Sequence, residues 1–276
     1  MKKERFYRLI TCICLILCMM PNILKAQNMK PLNMPHYDNE LYHYGFILGY
    51  NQMLFSINYV NDYQNVIHSP EELPSSDVLF GTNDLFLNSP FKVYDINTHI
   101  THGFTVGIVG NLRLAKYFDL RFIPSLSFGE RKITYNIVSL QEDLVEGIIN
   151  EVPKTISSTT HSTFVEFPLQ IKYKSKRNNN SAAYIIAGAN YKIDMASQKK
   201  LYDSNNGKPK TLSVNRHDLA AEIGAGFDFY TGYFKLGVEL KMSYGLLNIA
   251  KEENFMYANS FDILRNKTFQ LSFTFE

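Results

Sequence analysis

Few side chains in this sequence are spaced for chemistry. His99 and His102 lie three residues apart and resemble a pair of metal ligands. On a strand, however, a spacing of three turns the two imidazoles to opposite faces. His217 beside Asp218 has the same problem, since adjacent strand residues diverge. The triplet Gly224-Ala225-Gly226 lacks the third glycine and the following helix of a dinucleotide site, so it reads as small residues in a crowded interior. Cysteine chemistry depends on Cys12, Cys14 and Cys18, all within the first 26 residues. No catalytic, cofactor-binding or metal-binding residue is assigned, and the expectation is a protein that is not an enzyme.

The elements that must position these residues begin with an export signal. Lys2, Lys3, Arg5 and Arg8 precede an apolar run from Leu9 to Met20, and Ala26 supplies a small residue for cleavage. A basic segment, a short apolar core and a small residue form a secretory signal peptide, predicted here over residues 1–26. The competing lipoprotein reading, with Cys18 as the lipidated residue, is weakened by the bulky Leu17 before it. Cleavage would remove five bases, one acid and every cysteine, turning a formal net charge of +2 into −2. Such a mature chain has no electrostatic footprint for nucleic acid. It also has no disulfide, thiol nucleophile or Cys-ligated metal.

No second apolar stretch is long enough for a spanning helix, and period-2 alternation runs along most of the chain. Between Phe234 and Leu246, Phe234, Leu236, Val238, Leu240, Met242, Tyr244 and Leu246 oppose Lys235, Gly237, Glu239, Lys241, Ser243 and Gly245. Eight such segments fall near 43–59, 98–114, 118–137, 161–174, 182–196, 216–230, 233–246 and 264–275. The connections between them alternate long and short, the pattern of a membrane barrel with large outer loops and tight periplasmic turns. The faces agree with this: large apolar and aromatic residues suit lipid, and Gly, Ser and Asn suit a narrow lumen. The final residues, Phe269 to Glu276, end in alternating apolar positions like the last-strand signal of outer-membrane barrels, displaced by one residue.

The predicted fold is therefore all-β: an antiparallel transmembrane β-barrel of eight strands in the outer membrane. Residues 27–42 form a periplasmic N-terminal segment and residues 43–276 the barrel, with loops near 60–97, 138–160, 197–215 and 247–263. Pro124 and Pro168 fall inside strands and are expected to mark bulges. Tyr44, Phe46, Leu48 and Tyr50 share one parity while Met53, Phe55 and Ile57 take the other, so a bulge is expected near Asn51. Ser139 and Glu142 form a capping-box pattern, with Leu140, Leu144, Val145 and Ile148 at helical spacing up to Pro153.

The inward face should carry seven bases (Arg113, Arg121, Arg131, Lys172, Lys192, Lys235, Lys241) and six acids (Asp119, Glu166, Asp194, Glu222, Asp228, Glu239). An eight-stranded barrel is barely wide enough for its own side chains, so these charges are expected to pair as a plug and not to line a pore. Asp194, His161 and His217 could reach similar heights at the outer rim, where some outer-membrane barrels carry catalytic groups. The loops at 60–97 and 138–160 are expected to pack as a lid or to dock partners; outer-membrane lipid is the other expected partner.

Four stretches carry a family resemblance: Tyr42–Asn51, Gly103–Leu114, Phe118–Arg131 and Phe164–Ser175, the last containing Glu166-Phe167-Pro168. Together they resemble the PorT/SprT family, outer-membrane proteins required for type IX protein secretion and linked gliding motility. The resemblance runs from about Asn33 to the C-terminus. It implies a part in moving folded cargo across the outer membrane, with other secretion-system components as partners through loops 60–97 and 138–160. It supplies no catalytic residues. Because so narrow a barrel cannot pass a folded protein, the implied role is that of an accessory or assembly component. The alternative is a general structural or adhesive barrel that binds ligands or surfaces through its loops.

Overall fold

The computed structural model describes residues 31–72, 89–142, 149–196, 212, 214–251 and 260–276. The predicted signal peptide lies outside the described residues. Eleven strands form one antiparallel sheet: β1 (Tyr42–Tyr59), β2 (Ile67–His68), β3 (Phe91–His99), β4 (Thr101–Arg113), β5 (Phe118–Phe122), β6 (Ser125–Glu142), β7 (Ile149–Lys174), β8 (Ser181–Asp194), β9 (His217–Tyr230), β10 (Lys235–Gly245) and β11 (Phe261–Phe275). β1 pairs with β11 on one side and with β4 on the other, which closes the sheet on itself. Only Ile100 separates β3 from β4, and only Ile123 and Pro124 separate β5 from β6. With those continuations joined and the two-residue β2 set aside, the ring has eight members, as the alternation predicts.

Both prolines sit in the wall without a bulge. On β7, Pro168 pairs with Asn190 in unbroken register. The β4 register is the same on either side of Pro124, running from Gly110 opposite Phe122 to Gly107 opposite Ser125. Each carbonyl keeps its rung, Ile108 donating to Pro124 and Ile123 to Pro168, and each ring gives up one donor. No register shift occurs near Asn51 either. β1 pairs continuously with β11 from Phe46 to Asn58, and His43, Ile47, Asn51, Met53 and Phe55 are all buried on one face.

What changes along β1 is the solvent on each side. Its outward residues pass from Tyr44, Phe46, Leu48 and Tyr50 to Gln52, Leu54 and Ser56 as its inward residues become apolar. β6 changes at the same height. Leu126 and Phe128 face out below Glu130, Lys132 and Thr134, while Ser125, Ser127 and Arg131 face in below Ile133, Tyr135 and Ile137. On β7 the outward run Val165, Phe167, Leu169, Ile171, Tyr173 gives way to Thr163, His161 and Thr159. That run rises about 27 Å along the strand, or about 21 Å after a typical tilt, close to the apolar band of an outer-membrane barrel. Below the boundary the barrel is solvated by lipid; above it, the wall folds as an ordinary water-soluble sheet around an apolar core.

That upper region corrects the loop assignments. β3 begins at Phe91, and β6 and β7 pair from Ser125–Glu166 out to Glu142–Ile149. The end of 60–97, from Phe91, and most of 138–160 are therefore strand, and no helix starts at Ser139, which is a buried β6 residue. Leu144, Val145 and Ile148 lie outside the described residues. Of the helically spaced residues, Leu140 is described, and it pairs with Glu151 in the 18-pair ladder between β6 and β7.

Candidate functional site

The lumen is filled in three tiers. In the middle tier the predicted charges pair. Arg121 Nη1 donates to Glu239 at 2.6 Å, both side chains being fully buried. β5–β6 and β10 stand four places apart in a ring of eight, so this pair spans the bore from wall to opposite wall. Lys172 meets Asp228 at 2.6 Å, Lys241 meets Glu222 at 3.2 Å, Lys192 meets Glu166 at 3.5 Å and Arg131 meets Asp194 at 2.9 Å. Asp119 pairs with Lys174 at 3.2 Å. Neutral groups join the lattice: Gln170 and Asn190 donate to Glu222, and Tyr184 donates to Glu239. The Tyr184 ring fits because Gly226 faces it; a Cβ there would lie 2.5 Å from the ring. Twelve of the thirteen charges assigned inward are buried; Arg113 instead lies at the short-turn mouth.

The upper tier is apolar. Phe55, Phe91, Ile133, Tyr135, Ile156, Leu264 and their neighbours form one buried cluster over the ion pairs. Arg131 sits at the seam, its guanidinium 4.7 Å from the Phe55 ring and 5.0 Å from Phe164 while it binds Asp194, Ser162 and Asn266. Period-2 reading assigned Met53, Phe55 and Ile57 to a change of face. The change of solvent across the membrane boundary is what they record.

The lower tier is the N-terminal segment, residues 31–41, folded across the end with the short turns. Tyr37 stacks on His43 at 3.8 Å and donates to Glu276, which also accepts from Lys235 at 2.7 Å. Burial, opposed by Lys235, pushes the Tyr37 phenol well above its ordinary value. Tyr230 donates to Asp38 at 2.9 Å, and Asn33 and Asn180 bond each other's segments. Arg177 lies 3.7 Å over the Tyr230 ring and donates to the Met34 carbonyl. Sequence reading missed this cap, because its residues lie outside any periodic element.

The candidate chemical groups stay apart. One-residue register shifts at Tyr94 and between β3 and β4 turn both His99 and His102 outward, which corrects their assignment to opposite faces. Each has its own partner: His99 bonds Thr134 at 2.9 Å and His102 bonds Tyr50. His217 is outside against Tyr191 while Asp218 is inside against Asn266, so the adjacent pair does diverge. His161 faces out against Glu130, and Asp194 faces in. Among the described residues no three His, Cys, Asp or Glu groups cluster as metal ligands.

A closed antiparallel ring with a lipid-facing apolar band and a charge-paired lumen defines a transmembrane β-barrel of the outer membrane. The chain belongs to the outer membrane protein beta-barrel domain family, which it matches over residues 26–251. Among solved structures it is similar to Ail, the attachment invasion locus protein of Yersinia pestis. The Ail complex with the heparin analogue sucrose octasulfate is 13% identical, with a TM-score of 0.34, 86% of this chain and 98% of that one covered. A second Ail structure has a TM-score of 0.32 at the same identity and coverage. A FadL homologue of Pseudomonas aeruginosa is 10% identical, with a TM-score of 0.22, 86% of this chain and 90% of that one covered. No curated protein matches.

Proposed function

We propose that this protein is a non-enzymatic barrel that works through the part standing above the membrane, with the membrane ring as its anchor. The observation that carries this reading is the buried Arg121–Glu239 pair, which reaches across the bore in the middle of the lumen. Above it, β2, β3, β6 and β7 continue as a sheet beyond the reach of β8, whose pairing with β7 stops at Asp194 opposite Phe164. In this reading the paired β6–β7 ladder is the surface offered to a macromolecular partner. The specific form we favour, on the resemblance of the four stretches to the PorT/SprT family, is an accessory or assembly component of type IX secretion. An adhesive barrel that binds ligands or surfaces is the alternative supported by the same projection.

The test is a clean, complemented deletion strain, with extracellular and periplasmic proteins profiled side by side. The secretion role predicts that many unrelated exported proteins build up in the periplasm and disappear outside. The adhesive role predicts a normal profile with altered surface binding. Complementation by a variant in which residues 139–152 are replaced with a tight turn should fail in either case. Full rescue by that variant would remove the hairpin from the mechanism.

A further inference from the structure

We propose that the cavity between the β4–β5 and β7–β8 turns binds the phosphate of an anionic phospholipid headgroup. This cavity, about 300 Å³, is lined by Arg113, Lys116, Lys174, Lys176 and Arg177 against a single acid, Asp38. Asp38 accepts from Tyr230 at 2.9 Å and lies 3.7 Å from Arg177 and 3.9 Å from Lys174, so it balances part of their charge. Two of the bases are fixed in place: Lys174 by Asp119 at 3.2 Å, and Arg177 by the Asn179 carbonyl at 2.7 Å and the Tyr230 ring. The other three, Arg113, Lys116 and Lys176, have no carboxylate partner among the described residues. The two turns are joined by the Lys174 amide donating to the Tyr117 carbonyl at 2.9 Å.

Its height identifies the source of the phosphate. Leu114, Phe118 and Tyr173 face outward directly beside the turns, and the Phe118 and Tyr173 rings lie 5.0 Å apart. The apolar band therefore runs up to the cations, as a lipid's acyl chains run up to its headgroup. In outer-membrane barrels short turns meet the periplasmic side, where the leaflet is phospholipid. A clustered set of Lys and Arg at a membrane surface attracts anionic headgroups by about 1 kcal/mol per charge. The excess of bases selects a net-negative headgroup over a zwitterionic one.

Native mass spectrometry of the full mature barrel, released from micelles doped with phosphatidylglycerol or phosphatidylcholine, tests this. Wild type should retain phosphatidylglycerol about tenfold or more in preference to phosphatidylcholine. R113Q/K116Q/K176Q should lose that preference, and R113K/K116R/K176R should keep it, while all three run with the same heat-dependent gel shift of a folded barrel. Equal retention of both lipids by wild type, or an undiminished preference in the glutamine variant, overturns the site. Inorganic phosphate that displaces phosphatidylglycerol at matched concentration makes it a free-anion site and overturns the lipid assignment.

Discussion

At the scale of single residues, the lumen trades hydration for pairing. A carboxylate or guanidinium taken from water loses several kcal/mol of solvation, and its partner returns this only with good geometry. Glu239 Oε2 is held by Arg121 at 2.6 Å and by the Tyr184 hydroxyl at 3.0 Å. Glu239→Gln leaves the Arg121 charge uncompensated and should destabilise the barrel by about 3–5 kcal/mol, whereas the apolar double variant R121M/E239L should lose much less. Unfolding in urea, followed by circular dichroism because the chain has no tryptophan, measures both. A double variant as unstable as the single one would contradict the pairing account. The charges were legible in the sequence because a base and an acid recur on the small-residue face. Their partners were not, since pairing across the bore depends on which strands stand opposite each other. Tyr37 gave no periodic signal at all, and Glu276, though on the polar parity of the last strand, was not read as a lumen charge.

At the scale of elements, strict alternation was a good guide wherever the wall is regular. It found the eight wall segments, and it placed His217 and Asp218 on opposite faces. It failed where a strand takes an extra residue, as at Tyr94 and Ile100, which is how His99 and His102 came to share a face. It also misread the switch on β1 as a bulge, because a change of surroundings and a change of parity look alike in a one-dimensional pattern. The upper core gives this a test. Ile133 is fully buried in the apolar cluster, and its neighbour Thr134 faces out. Ile133→Asp buries an unpaired charge and should cost more than about 4 kcal/mol, exposing the β3–β6–β7 projection to protease while the membrane ring keeps its heat-dependent gel shift. Thr134→Asp should change stability by no more than about 0.5 kcal/mol. Equal protease sensitivity of the two variants would show that the inversion does not hold.

At the scale of the whole molecule, three different fillings close one bore: an apolar cluster, an ionic lattice and a folded N-terminal segment. Reconstituted into a planar bilayer, the protein should give no steady conductance, and stable open steps would overturn the sealed lumen. The inversion of polarity along the wall has a mechanical consequence as well. Sliding the barrel by two residues along its axis moves one ring of eight outward side chains across the boundary. Upward, aromatic and aliphatic groups enter water; downward, residues such as Glu130, Lys132 and Lys267 enter hydrocarbon. At about 1.5 kcal/mol or more for each large apolar side chain, the first step alone costs on the order of 10 kcal/mol. The waterline is thus written into β1, β6 and β7, and the barrel behaves as a mooring: a load pulling on the β6–β7 hairpin is borne by the bilayer without the ring riding up.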